Sequence, residues 1–195
     1  MPPNSILAVA WHRYLQQLEQ KPLKTKAITA SLLIGASDLL AQRLTLGAAP
    51  TNWRRTLCMC AYGFLWAGPA GHYWQQILES LFPDKHDPLR TVKKVLTDQL
   101  VYGPLQNAVF MTFLAVVVEG RSWAATRTKL QADFVGVQSR GWRVWPVVSF
   151  VNQEFVPLKL RVLWMNVAAL GWATFLILQG KTAGAPALQR KLAAR

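Results

Sequence analysis

The chain has 195 residues, of which 52% are hydrophobic and only 16% are Asp, Glu, Lys or Arg. A soluble domain usually carries about 25% charged residues, so the composition favours a single-domain integral membrane protein over a soluble globular one. The formal net charge of +13 would suggest nucleic acid as a partner of a soluble protein. Here the charges flank apolar runs, so the lipid bilayer with its anionic headgroups is the expected partner, and nucleic acid is not.

Four apolar runs are long enough to cross the hydrocarbon core, which takes roughly 20 helical residues. They predict an all-α integral membrane bundle of four transmembrane helices, with spans at about 27–46, 57–82, 95–118 and 156–178. Residues 1–180 would form one membrane domain, and residues 181–195 a basic exposed tail. The alternative is a soluble bundle with unusually apolar core helices.

The segment between the third and fourth spans predicts an amphipathic helix that lies in the membrane interface. Trp123, Leu130, Phe134 and Val137 share one face, opposite Lys129 and Asp133, as in interfacial helices.

Four spans would bring both termini to one side together with the loop between spans two and three. That side holds somewhat more of the basic residues, so the termini are expected in the cytosol or matrix.

Polar residues inside the spans recur at helical spacing, so each span carries a polar stripe. A carboxylate in lipid is costly, so these stripes should face protein or water. We therefore predict a polar seam along the bundle axis, formed by Ser31, Gly35, Asp38, Gln42, His72, Gln75, Glu79, Asp98 and Arg161. Depth along the spans pairs Arg161 with Asp38, and Lys93 or Lys94 with Glu79.

The seam has two interpretations from the residues alone. Its members could simply hold the helices together by close approach and hydrogen bonds, or they could line a water-filled path for small solutes. Gly-Pro pairs at Gly68-Pro69 and Gly103-Pro104 predict helix kinks at Pro69 and Pro104, because proline removes a backbone hydrogen bond and clashes with the preceding turn.

No motif indicates an enzyme, a metal site or a cofactor. Cys58 and Cys60 are two apart on a helix and point away from each other, so they cannot form a disulfide. His12, His72 and His86 lie in separate elements without ligand spacing. The chain also lacks a phosphate-binding glycine loop, a nucleophile elbow and an HExxH motif.

Several segments resemble one known family. They are Trp142-Arg143-Val144-Trp145-Pro146, Phe150-Val151-Asn152, Phe155–Leu163, Pro22–Lys26, Asp38–Gln42, Gly68–Tyr73 and Asp98-Gln99. This pattern resembles the twenty-two-kilodalton peroxisomal membrane proteins and the related Mpv-seventeen mitochondrial inner-membrane proteins, and the plant-type peroxisomal branch is the most similar. One departure is Gln153-Glu154, where many relatives have an aromatic or small polar residue.

The resemblance implies a four-span protein of the peroxisomal membrane or, alternatively, the mitochondrial inner membrane. It implies a weakly selective channel for small hydrophilic solutes; the alternative is a non-conducting structural or accessory membrane protein. We also expect a homo-oligomer. The family signature falls on Trp142, Trp145, Pro146, Asn152, Pro157 and Arg161. Trp142, Trp145, Asn152 and Pro157 are expected to form the turn into span four, with Pro157 in its first helical turn.

Overall fold

A computed structural model of the chain describes residues 5–46 and 50–175. All regular elements of these residues are helices. They are α1 Ile6–Gln20, α2 Pro22–Leu46, α3 Trp53–Tyr62, α4 Gly68–Leu81, α5 Arg90–Thr97, α6 Gly103–Phe113, α7 Trp123–Gly141, α8 Trp145–Glu154 and α9, residues 161–175. The predicted basic tail, 181–195, and the end of the predicted fourth span, 176–178, lie outside the described residues.

Three π-helical turns join or extend these helices. They are Gly63–Ala67, between α3 and α4, Asp98–Tyr102, between α5 and α6, and Leu114–Val118, after α6. The first two come directly before the Gly-Pro pairs, and in each the glycine N–H donates to the carbonyl five residues earlier. A π-helical turn rearranges the backbone just where the proline ring would clash with the preceding turn. Widened turns therefore accompany Pro69 and Pro104, where the sequence predicts kinks.

Residues 53–81 and 90–118 each run as one unbroken helix through these π-helical turns. In the described part of the chain, Arg90–Val118 is the one helix that is long and apolar enough to cross a membrane. Only 6% of its apolar window is buried inside the protein. The apolar side chains of this helix therefore face outward, unlike those of a helix in the core of a soluble protein.

Small residues bring α2 close to the 53–81 helix. A Cβ atom on Gly68 would lie 2.5 Å from the Cα atom of Ala27, and one on Gly63 would lie 2.6 Å from the Cα atom of Ser31. Gly35 similarly faces the Sγ atom of Cys60. Such close approach of two backbones is typical of helix pairs in membranes. Ser31 and Gly35 are therefore part of a packing contact.

Helices α7 and α8 run back alongside the 90–118 helix. Near one end Lys129 of α7 contacts Glu119 at 3.2 Å, and along the middle Asn107 donates to Gln138 at 2.7 Å. At the other end α8 packs against α5. The prediction of an interfacial helix between spans three and four is therefore wrong, because α7 lies along the bundle and packs against α6.

Because α7 runs back along the bundle, the last helix runs in the opposite direction to the one that the sequence predicts. Lys159, just before α9, contacts Glu19 near the start of α2 at 2.7 Å, while Leu170 and Trp172 border the same cavity as Ser37 near the end of α2. Helices α2 and α9 are thus parallel. In the described helices the start of α2 and the end of α9 therefore lie at opposite ends of the bundle, whereas the sequence prediction, which does not include α7 along the bundle, places them at the same end.

The boundary of the last helix also differs from the prediction. Residues 155–160 form a turn, and the helix begins at Arg161 rather than near Val156. Pro157 lies in that turn, where its carbonyl accepts a hydrogen bond from the Leu160 N–H at 2.8 Å. It is therefore outside the first helical turn, where it was expected.

Candidate functional site: a polar cavity between two charged clusters

Two adjoining cavities lie between the helices. One has a volume of about 230 Å³ and the other about 450 Å³. Both are bordered by Gln106, Asn107, Trp145, Asn166 and Ala169, so we treat them together as the axial cavity. Its other polar lining residues include Ser37, Gln75, Asp98, Gln99, Tyr102, Gln138 and Arg140. Most of its polar groups are thus uncharged amides and hydroxyls.

Asp98 is the carboxylate in the wall of the axial cavity. Its side chain is buried, with the residue only 4% exposed, and it accepts hydrogen bonds from Trp74 Nε1, Ser149 Oγ and Gln99 Nε2 at 2.9, 2.9 and 3.1 Å. Within the described residues no Lys or Arg forms an ion pair with it. Asp98 therefore presents a buried acid, held only by neutral donors, to a polar cavity.

Asp38 lies in a closed cluster near the end of α2, away from the axial cavity. It is 3% exposed and accepts hydrogen bonds at 2.7 Å from Arg55 Nε, Gln42 Nε2 and Thr56 Oγ1. Gln42 Oε1 also accepts from the Asn52 backbone N–H at 2.7 Å. Asp38 faces the protein interior, but Arg55 is its counter-ion and the predicted pair with Arg161 is wrong.

Glu79 lies in a basic cluster at the other end of the bundle. Its carboxylate contacts Lys94 Nζ, Arg161 Nη1 and Arg90 Nη2, each at 2.5 Å. The contact between Lys94 and Glu79 was one of the two predicted pairings, and the structure contains it. Arg161 meets Glu79 rather than Asp38 because α9 begins at this end of the bundle.

His72 borders the basic cluster. Its Nδ1 atom lies 3.2 Å from Nζ of Lys26, and its Nε2 atom lies 3.3 Å from the amide of Gln76. His72 and Lys26 are both buried. The residues of the predicted seam are thus divided among a packing contact, the closed Asp38 cluster, the basic cluster and the axial cavity, which takes only Gln75 and Asp98 from them.

The family signature builds α8 and the segments on either side of it. Trp142 donates to the Gln99 carbonyl at 3.2 Å, Trp145 borders the axial cavity, and Pro146 lies in the first turn of α8. Asn152 is buried in α8, and neither of its side-chain polar atoms has a hydrogen-bond partner. These residues form a further helix along α5 rather than a simple turn into the last span.

The sequence reasoning missed Ser149 and the cavity amides Asn107, Gln138 and Asn166. Each lies in or beside an apolar stretch, and spacing alone did not connect it to the predicted seam. Trp145-Pro146 could have indicated the start of α8, because proline is favoured in the first turn of a helix. In the described residues Cys58 and Cys60 are free thiols, and no three His, Cys, Asp or Glu side chains group as a metal site.

An all-helical bundle with an apolar helix exposed on its surface and buried polar groups in its interior has the construction of a helical membrane protein. The family model described as the Mpv17 / PMP22 family matches residues 116–177. Peroxisomal membrane protein PMP22 of Arabidopsis thaliana is 38% identical over 170 residues, covering 87% of this chain and 89% of that protein. The chain belongs to the Mpv17 / PMP22 family.

Two further relatives extend the comparison. Peroxisomal membrane protein 2 of Bos taurus is 32% identical over 178 residues, covering 88% of this chain and 90% of that protein. PXMP2/4 family protein 3 of Dictyostelium discoideum is 32% identical over 174 residues, covering 89% of this chain and 92% of that protein. The Arabidopsis and Bos taurus relatives are named as membrane proteins, and their names mention no enzymatic activity. No solved structure matches the chain.

Proposed function

We propose that the protein is a weakly selective membrane channel for small hydrophilic solutes, and that the axial cavity is part of the path. The observation that carries this proposal is a cavity inside the bundle with amide, hydroxyl and carboxylate groups set in a largely apolar wall, in a bundle whose outer surface is apolar. Leu32, Leu65, Leu100, Val101 and Leu105 are each more than half exposed. An apolar surface of this kind favours lipid as its surroundings.

The chemistry of the cavity wall fits weak selectivity. Amides such as Gln106, Asn107 and Asn166 both donate and accept hydrogen bonds, so they can replace part of the hydration of solutes of different types. The charged lining residues are one acid, Asp98, and one base, Arg140. With one charge of each sign, the wall would exclude neither cations nor anions strongly.

The membrane and the assembly are part of the same proposal. We assign the protein to the peroxisomal membrane, because two of its relatives are named as peroxisomal membrane proteins; the mitochondrial inner membrane is the alternative. We further propose that the helices running along the bundle cross the membrane and that the protein forms a homo-oligomer, and we expect no cofactor. The rival function, a non-conducting structural or accessory protein, is favoured by the closed Asp38 cluster and the glycine contacts, which only hold helices together.

Solute flux in proteoliposomes tests the channel. Wild-type protein should release a small uncharged solute faster than protein-free liposomes do. Asn166→Leu should reduce that release, because Asn166 borders both parts of the axial cavity and, among the described residues, its amide donates only to Val162 of its own helix. The matched control is Val167→Leu, on the next residue, which is 48% exposed. Wild-type flux equal to that of empty liposomes would favour the non-conducting alternative.

A further inference from the structure

The basic cluster contains more buried positive charge than its one acid can compensate. It comprises Arg90, Lys94 and Arg161 around Glu79, together with Lys26, which contacts the neighbouring His72. Lys94 is fully buried, and Lys26 and Arg161 are 5% and 6% exposed. Among the described residues, Glu79 is the one carboxylate that pairs with any of these four cations. The cluster therefore has three positive charges in excess.

Among the described residues, no carboxylate forms an ion pair with Lys26. In the described part of the chain, its ammonium has one hydrogen-bond partner, the Nδ1 atom of His72 at 3.2 Å. Arg161 is near enough for the two positive charges to repel each other. A buried ammonium without a counter-ion is costly, and a bound anion would remove most of that cost.

Helix α8 brings unsatisfied amides to the same region. Gln153 accepts a hydrogen bond from Arg161 at its backbone carbonyl and donates one from its side chain to Gln75, at 3.1 and 3.0 Å. Its Oε1 atom and both side-chain polar atoms of Asn152 are buried without a hydrogen-bond partner. Buried amides normally have such partners, so α8 carries an unused donor on Asn152, the residue before the one whose carbonyl binds Arg161.

The axial cavity lies next to this region. Its wall includes Gly71, Gln75 and Val162. Gly71 and Val162 are the sequence neighbours of His72 and Arg161, and Gln75 is bonded to Gln153. Three residues of the cavity wall are thus adjacent, along the chain or through a hydrogen bond, to residues of this region.

We propose that the basic cluster is a binding site for one small oxyanion, a phosphate or a carboxylate, held by Lys26 with Arg161 and the Asn152 amide. Charge-assisted hydrogen bonds to oxyanions are among the stronger polar contacts in proteins. The site does not depend on conduction through the axial cavity. An anion could bind there in a non-conducting protein, so this inference and the proposed channel can fail separately.

Inorganic phosphate binding to the full-length protein in neutral detergent tests the site. Phosphate should bind saturably, and it should raise the unfolding temperature more than chloride at the same ionic strength. Lys26→Met should weaken the apparent phosphate affinity about tenfold, the effect of losing roughly 1.4 kcal/mol. The control is Lys24→Met, two residues away on an exposed side chain. An unchanged affinity in Lys26→Met overturns the proposal.

If Lys26→Met does not fold, the wild-type titration still decides. Absence of saturable phosphate or acetate binding to the wild-type protein overturns the site. A lipid phosphate could also supply the oxyanion, and nanodiscs distinguish this source. The Lys24→Met control is compared in nanodiscs of anionic phosphatidylglycerol and of phosphatidylcholine. If its unfolding temperature is higher in phosphatidylglycerol and added phosphate no longer raises it there, the lipid headgroup is the ligand. If phosphate still binds in both nanodiscs, the ligand is a free anion.

Discussion

Asp38 and Asp98 are buried to nearly the same extent, at 3% and 4% exposure, and each accepts three side-chain hydrogen bonds. They differ in partners and in surroundings. Asp38 is paired with the Arg55 guanidinium in a closed cluster between α2 and α3, whereas Asp98 has only neutral donors and borders the axial cavity. Burial alone would assign these two carboxylates the same role.

The difference separates an acid that holds helices together from an acid that can act on solutes. A carboxylate paired with a guanidinium and outside the lining of the axial cavity contributes to folding. A carboxylate without a cation, next to a polar cavity, adds a negative potential where a solute would pass. Replacing each residue, with flux and stability both measured, tests this division.

Asp38→Ala should produce the largest loss of stability. Breaking a buried ion pair costs about 3–5 kcal/mol; we expect about 3 kcal/mol, the lower end, because the Arg55 side chain is 44% exposed and can be hydrated. Chemical unfolding in mixed micelles measures it. Asp133→Ala, on an exposed residue of α7, should change stability little. Equal losses in the two variants would show that the Asp38 cluster does not hold the helices.

Asp98→Asn should mainly change selectivity. The asparagine amide would meet donors where the carboxylate met them, so a loss of about 1 kcal/mol in unfolding free energy is expected. The permeability ratio of small cations to small anions in proteoliposomes should fall, because the wall loses its acid. Asp38→Asn is the matched control and should leave the ratio of the folded protein unchanged. A ratio that depends on Asp38 and not on Asp98 would reverse the comparison.

Much of this architecture could be predicted from hydrophobic patterning. The first three predicted spans coincide with α2 and the helices at 53–81 and 90–118, and Glu79 meets Lys94 as helix depth suggested. Asp38 could also be assigned to the interior, because a carboxylate in lipid is costly. These predictions depend on periodicity and depth along one helix, which a single sequence contains.

The extra pass could not be predicted in the same way. Arg127, Lys129, Asp133 and Arg140 make α7 too polar for hydropathy to indicate a pass along the bundle, and α8 is short. Without that helix, the sequence prediction gives α9 the opposite direction. It therefore places Arg161 near Asp38, whereas in the structure Arg161 contacts Glu79. The partition of one predicted seam into separate clusters also depends on which helices are neighbours, and this is a property of tertiary packing.

Removing one hydrogen-bond donor from each of the two carboxylates, Asp38 and Asp98, tests the same comparison with a smaller expected effect on stability. Thr56→Val and Ser149→Ala each remove one hydroxyl, and loss of such a hydrogen bond costs about 1 kcal/mol. Ser149→Ala should cost less than Thr56→Val, because water in the axial cavity can replace the lost donor to Asp98. Unfolding in mixed micelles measures both. A larger loss for Ser149→Ala would indicate that the Asp98 site is dry.

The smallest effect on stability is expected at Glu19. Its side chain is 62% exposed, and its ion-pair partner among the described residues is Lys159, which is itself 42% exposed. The hydrogen bond and charge of Lys159 lower the pKa of Glu19 below its ordinary value. Because the folded-state pKa is the lower one, this contact stabilises the fold above the unfolded carboxyl pKa, and the contribution disappears as pH falls through the lowered value. The unfolding temperatures of wild type and Glu19→Gln should therefore differ slightly near neutral pH and converge in acid. The difference should also shrink at high salt, as expected of an exposed pair. A difference that grows as the pH falls would mean that Glu19 acts through a contact other than Lys159.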